Sequence, residues 1–406
     1  MKNLYLERYA WPTRVFPDFS PTTSPDLIVV IPVYHEPNLM KALESLNKCS
    51  DNEDVLVIAI INESENEDSG LAQVNQKTLQ NIEGAEFQFQ FLFKLVKLPP
   101  KKAGVGLARK IGMDEAVRIF EEQEKDGIIV CYDADCTCET NYLSAIKEYY
   151  TQTYLVGLIH YEHTLNGENL DAIVDYELYL RYYVNALRWA DFPFAFQTLG
   201  SCITVKSRAY QKQGGMNTRK AGEDFYFIHK MTPLGRMGEI NNTAIYPSDR
   251  VSDRVPFGTG QAVEKYLKNE DSNYEVYNPR VFIELKHFIE AAAYLYDCTT
   301  SYEMILSEKC QKFVDENDFE TAFQKMKKNS PNAERLQKRF FEWFDGFRAL
   351  KFVHFMRDRY YPNIDIIDAL EWLQHEYLKI PHFKGSKETK LMALREHDRS
   401  QDFYLS

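Results

Sequence analysis

Asp133 and Asp135 stand one residue apart immediately beyond the apolar run Gly127-Ile128-Ile129-Val130-Cys131-Tyr132. Two carboxylates just past a buried strand can hold a hard divalent cation through oxygen, leaving other coordination positions for diphosphate oxygens. A cation so placed neutralises charge that builds on a departing nucleoside diphosphate. The bland alternative is a solvated acidic turn; in a chain with 60 acidic residues the triplet gains weight only from the strand before it. Nearby in sequence, Lys102 and Arg109 can contact phosphate, and Gly104 and Gly106 allow close backbone approach at a helix N-terminus. Glu223 and Asp224 form a further carboxylate pair at a helix start, where such pairs often serve only as caps. Arg250 and Arg254, followed by Gly258-Thr259-Gly260, suit a lid over a diphosphate or a site for an anionic acceptor, with local Asp–Arg bridges as the alternative.

The elements that must position these side chains are legible from periodicity. LIVVIPVY from Leu27 and VLVIAII over 55–61 are continuous apolar runs, the pattern of parallel strands buried on both faces. Between them Leu39, Ala42, Leu43 and Leu46 fall on one helical face. Phe87, Phe89, Phe91, Phe93 and Leu95 alternate, giving a third strand with one face more exposed. A helix at Ala108, Gly112, Ala116 and Ile119 leads to the strand that ends at Tyr132. Further strands are expected at 154–161 and 196–207, separated by a long helix with Ile173, Tyr176, Leu180, Val184 and Leu187 at three-to-four spacing. This alternation predicts an α/β fold with a mostly parallel sheet flanked by helices. After about residue 265 the stripes Val281, Leu285, Phe288, Ala292, Leu295 and Leu336, Phe340, Phe344, Phe347, Leu350 predict an all-helical domain packed beside it.

Composition excludes several classes. A formal net charge of −12 argues against a nucleic-acid or anionic-membrane binder acting through the whole chain, although a local peripheral contact with a membrane is compatible with it. No segment is long and apolar enough to span a bilayer, and the first residues lack the apolar centre of a signal peptide, so a cytoplasmic location is the expectation. Seven scattered cysteines fit reduced thiols, and Cys131, Cys136 and Cys138 lack the partners of a zinc site.

Taken in order, PVYHEPN, INES, KKAGVGLARKIG, DADCTCETNYL, LGSCITVKSRAYQKQGGM and AGEDF resemble the family 2 glycosyltransferases of the GT-A fold, over roughly residues 25–260. The resemblance implies a hexosyl transfer from a nucleotide-sugar donor to an acceptor hydroxyl, dependent on Mn2+ or Mg2+ and inverting at the anomeric carbon, in carbohydrate biosynthesis. It implies that Pro32, Tyr34 and Glu36 line the nucleobase pocket, that Asp133 approaches the ribose, and that Asp135 meets the metal and diphosphate. It gives Asp224 the role of general base, with Glu223 beside it. Base and ribose contacts near Asn62 are altered, because Asn62-Glu63 stands where the family has an Asp pair, and His35 replaces the usual Asn. No QxxRW segment occurs, which speaks against a processive synthase. The expected division is an arm over 1–24, a donor-binding half over 25–150, an acceptor-binding half over 151–264 and the helical domain over 265–406. The alternatives are a sugar-1-phosphate nucleotidyltransferase, disfavoured because no Gly-rich loop follows the first strand, and a non-catalytic nucleotide-sugar-binding protein.

Overall fold

A computed structural model describes residues 3–220, 222–250, 258–268, 274–296, 305–381 and 383–405. The chain forms two compact units: residues 1–173, 198–268 and 398–406 make the first, and residues 174–197 and 269–397 the second. The division therefore does not run in chain order, since 174–197 joins the later helices and the last residues return to the first unit.

The first unit is α/β. Its strands are β1 (Leu27–Val33), β2 (Val55–Ser64), β3 (Gln90–Leu98), β4 (Ile128–Cys131), β5 (Thr137–Cys138), β6 (Val156–Tyr161), β7 (Ile203–Lys206) and β8 (Met237–Tyr246), with Tyr404–Leu405 pairing onto β8. The sheet order is β3-β2-β1-β4-β7-β6-β8, and β5 attaches to β8. β1, β2, β3 and β4 are mutually parallel where they pair, as are β6 and β8, whereas β7 runs antiparallel to both β4 and β6. The expected mostly parallel sheet is thus a mixed one: β7 is reversed, and β5 and Tyr404–Leu405 also pair antiparallel, both with β8. β1 and β4 are buried at every position, as their unbroken apolar sequences require.

Helices α1 (Leu4–Arg8), α2 (Leu39–Asn47), α3 (Ser69–Ile82), α4 (Val105–Glu122), α5 (Tyr142–Tyr149), α6 (Leu170–Trp189), α7 (Ser207–Lys212) and α8 (Glu223–Met231) connect the strands. The chain passes from β1 through α2 and α3 outward to β3, then crosses back through α4 to β4 on the other side of β1. That reversal between β1 and β4 is a topological switch point, whose carboxyl end is where open parallel sheets bind ligands. Gly112 lets α4 press onto the sheet here: a β-carbon at this position would stand 2.4 Å from Val30 Cγ1.

β8 is the strand that the sequence pattern does not announce. Asn241-Asn242 breaks its apolar run, and the ladder to β6 shifts register between Ile159 and His160, so period two is lost. The strand expected at 196–207 shortens to β7, because residues Gly200–Cys202 form a helical turn.

The N-terminal arm is fastened to α4 by a buried carboxylate. Asp114 accepts hydrogen bonds from Tyr5 Oη (2.6 Å), Tyr210 Oη (2.9 Å) and the Trp11 amide (2.7 Å), with Lys110 Nζ at 3.0 Å. Burial, then Asp114 itself, drives the Tyr5 hydroxyl well above its ordinary range, so it remains a donor. Asp114→Ala is expected to cost about 3 kcal/mol of unfolding free energy, since two buried hydroxyls lose their acceptor. Urea denaturation measures this; a change under about 1 kcal/mol would show that the arm is not held by this network.

The second unit is helical around phenylalanine. Val281, Leu285, Phe288, Ala292 and Leu295 of the expected stripe are all buried. Phe288 stacks on Phe352 at 5.5 Å and meets Phe313, Phe340 and Phe344 edge-on. The region 265–406 is not purely helical: Glu275–Val276 pairs with Ile364–Asp365, and Tyr404–Leu405 joins the sheet of the first unit. Two-residue strands carry no periodicity, so pattern reading passes over them.

Candidate active site

Arg109 is the centre of the strand-end cluster. It lies in the second turn of α4 and is buried to 1% exposure. Its Nη2 donates to Asp133 Oδ1 at 2.6 Å and its Nη1 to Glu223 Oε1. Burial works against the guanidinium charge, but Asp133 and Glu223 outweigh it and hold the group firmly protonated. The space is exact: a β-carbon at Gly200 would come within 2.7 Å of Arg109 Nη2. The side chain expected to meet phosphate thus spans two carboxylates.

Those two carboxylates come from distant sequence. Asp133 follows β4, and its carbonyl accepts the Cys136 amide at 3.1 Å, turning the chain through Ala134 and Asp135. Glu223 opens α8 after Gly222, whose φ of +69° suits glycine alone among ordinary residues. Asn217 Nδ2 donates to the Glu223 carbonyl at 2.8 Å, fixing the turn. Gly106 is approached closely by the protein's own backbone: a β-carbon there would lie 2.1 Å from the Arg219 carbonyl. The loop that precedes Glu223 is thereby pressed onto the start of α4.

Asp224, next to Glu223, is half-buried and makes no cap for α8, whose N-cap residue forms no side-chain bond. Its Oδ1 accepts only the adjacent Phe225 amide, at 2.7 Å, among the bonds described. Burial, then the Glu223 charge, pushes its carboxyl up to about 7, with Arg109 partly offsetting them. A carboxylate near neutrality is suited to taking a proton. One turn on, His229 is held down to about 4 by burial, and its Nδ1 has no hydrogen-bond partner among the described residues.

A second cluster joins β1 to the β4 turn. Arg250 grips Glu36 through both guanidinium Nη atoms, one at 3.0 Å, and its Nη2 lies 3.4 Å from Asp135 Oδ2. Glu36 is buried and also accepts the Asn38 amide at 3.0 Å. Arg250 thus reaches strand-end carboxylates across 115 and 214 residues of sequence. Arg254 lies outside the described residues.

Pro32 is buried within β1. Tyr34 is half-buried and lies tilted by 35° against His35, with ring centres 3.8 Å apart. His35 has φ +49° and donates its amide to Asn75 Oδ1 at 3.2 Å. Asn62 is fully buried, and its Nδ2 donates to the Val33 carbonyl at 2.8 Å, so its amide braces the end of β1. Lys102 is exposed on the turn before α4. The structure brings together Asp133, Glu223 and Arg109, and separately Glu36, Asp135 and Arg250; Pro32 and Asn62 underlie the site within the core.

Among the described residues no group of three or more His, Cys, Asp or Glu side chains is arranged to hold a metal ion. The two half-exposed carboxylates of Asp133 and Asp135 nevertheless fit a magnesium- or manganese-type ion, which takes one or two protein carboxylates and completes its shell with water and substrate phosphates. Cys131 is pushed up to about 12 by burial and is no thiolate ligand at neutral pH. No helix among the described residues is long and apolar enough to cross a membrane.

No family model matches the chain, and no curated protein matches it. Among solved structures it is similar to S. aureus TarS 1-349 in complex with UDP, at 11% identity over 88% of this chain and 93% of that chain, with a TM-score of 0.38. It is also similar to the mannosyltransferase PcManGT from Pyrobaculum calidifontis in complex with GDP-Man and Mn2+, at 12% identity over 80% and 90% of the two chains, with a TM-score of 0.37. TM-scores this low do not establish a common fold, and the chemistry below rests on the chain's own side chains.

Proposed function

We propose that the chain is a glycosyltransferase of the GT-A, family 2 type, transferring a hexosyl group from a nucleotide-sugar donor to an acceptor hydroxyl with inversion. The observation that carries this reading is the single buried guanidinium of Arg109 between Asp133 and Glu223. It ties the donor-side turn after β4 to the carboxylate pair at the start of α8, at the sheet's switch point. A transferase needs these two stations side by side: one holding the diphosphate that leaves, one taking the proton of the hydroxyl that attacks.

Asp135 and Asp133 would hold a divalent cation, which when bound neutralises charge on the departing diphosphate. Arg250 keeps the buried Glu36 charge compensated and stands within reach of Asp135 and the same phosphates. Tyr34 offers its ring beside the carboxyl end of β1, where a nucleobase can stack. Asp224, with its raised proton affinity, accepts the hydroxyl proton, and Glu223, neutralised by Arg109, holds α8 in place for it.

Binding of the nucleotide tests the donor half. Calorimetry with UDP and with GDP, each with Mn2+, is expected to show binding by the native chain and its loss, at least about tenfold, in Asp135→Ala with an unchanged unfolding temperature. Native-like, metal-dependent affinity in that variant would remove Asp135 from the donor site.

A further inference from the structure

Away from the strand-end cluster, α1 lies over α4 and α7. Lys206, just before α7, is in register with Ile128 at the start of β4, so this face lies toward the end of the sheet opposite Asp133. Tyr5 turns inward to Asp114, and Asn3 Nδ2 donates to Gln211 at 2.7 Å. On the same short helix Leu4 is 55% exposed, and Tyr9 just beyond it, one turn from Tyr5 and stacked on its ring, is 56% exposed. Both line a depression of about 830 Å³ that also presents Arg208, Lys212 and Lys230. All three cations are exposed, and exposed Arg8 adds a fourth at the end of α1. The carboxylate among the lining residues, Glu121, accepts from Gln211 Nε2 at 3.0 Å.

Such a grouping runs against the chain as a whole, whose net charge is −12. Cations alone would suit a free phosphate, and exposed apolar side chains alone would suit a neutral partner. Together on one face they match a surface that offers phosphate at one depth and hydrocarbon just below it. We propose that this face docks onto a bilayer carrying anionic phospholipids, with Arg208, Lys212 and Lys230 at the headgroup phosphates and Leu4 and Tyr9 entering the boundary with the acyl chains. This docking does not depend on the activity proposed above.

Each cation brought to an anionic leaflet strengthens binding about fivefold, and the attraction weakens with salt. The intact chain is expected to sediment with vesicles of phosphatidylcholine and phosphatidylglycerol mixed three to one, and not with phosphatidylcholine alone. Arg208→Glu combined with Lys212→Glu should reduce that binding by more than about tenfold. Lys212→Glu alone, at an exposed position, should give a smaller loss in the same direction. Leu4→Ser with Tyr9→Ser should weaken binding at unchanged charge. The proposal is overturned if the chain stays in the supernatant with mixed vesicles, or if the charge-reversed chain sediments like the native one. Release from mixed vesicles by low concentrations of inorganic phosphate would point instead to a site for a free anion. Retention on immobilised polyglutamate without any vesicle binding would point to an acidic protein partner, and either result also overturns it.

Discussion

Asp224→Asn is expected to lower the rate of sugar transfer by about a hundred- to ten-thousandfold while leaving donor affinity near native, because the amide keeps the size of the carboxylate but removes its basicity. The alternative, that Asp224 merely caps α8, predicts little change, since Asn caps as well as Asp. Asp224 accepts the Phe225 amide, a first-turn donor of α8, so this one variant separates the two roles. The proton affinity sharpens the prediction. With the carboxyl raised from 3.8 to about 7, the base is half protonated near neutrality. The rate should fall about tenfold per pH unit below that point and level off above it.

Stability should move the opposite way. The folded carboxyl binds its proton more tightly than the unfolded one, so between about pH 4 and 7 the folded chain holds the extra proton. Unfolding free energy therefore declines as pH rises through this window. Asp224→Asn cannot ionise and should be more resistant to unfolding than the native chain at pH 8, with the advantage gone in acid. A variant that is slower yet more stable is the signature of a carboxylate kept in an unfavourable place for its chemistry. Equal turnover at all pH values would leave the catalytic base elsewhere.

The second large effect concerns Arg109. Arg109→Met leaves Glu223 buried without a counter-charge, and removing one partner of a buried pair costs about 3–5 kcal/mol. Asp133, more exposed, can recover solvation, so the main loss falls on α8. Combining Arg109→Met with Glu223→Gln removes both charges and should recover most of the stability without recovering turnover. Urea midpoints and rates measured on the single and double variants separate the two contributions. If the single variant loses activity with no loss of stability, Arg109 acts on phosphate rather than as the bridge between Asp133 and Glu223.

Much of this site could be read from the chain because its parts follow strands of unbroken apolar sequence. Burial on both faces makes β1, β2 and β4 visible as runs, and polar residues directly after such runs must sit at strand ends. Pairings across the fold were not legible. Nothing in the sequence says that Arg109 meets Glu223, 114 residues away, or that Arg250 reaches back 214 residues to Glu36. A hint for the first lay in Gly200 and Gly106, glycines whose missing side chains make room for a guanidinium and for a carbonyl. Polarity places Asn62 near the base and ribose contacts, but neither its burial nor its bond to the Val33 carbonyl is visible in the sequence. β8 escaped because two asparagines and a register shift erase its period.

Release of nucleoside diphosphate is the most direct test of the account. The native chain, incubated with Mn2+ and a panel of UDP- and GDP-hexoses, with and without added saccharide acceptors, can be followed by mass spectrometry of the nucleotide. The expected result is metal-dependent conversion of one donor to its nucleoside diphosphate, faster with an acceptor hydroxyl present and abolished in Asp135→Ala. Pyrophosphate release from a nucleoside triphosphate and a sugar phosphate, with every nucleotide sugar left intact, would contradict it.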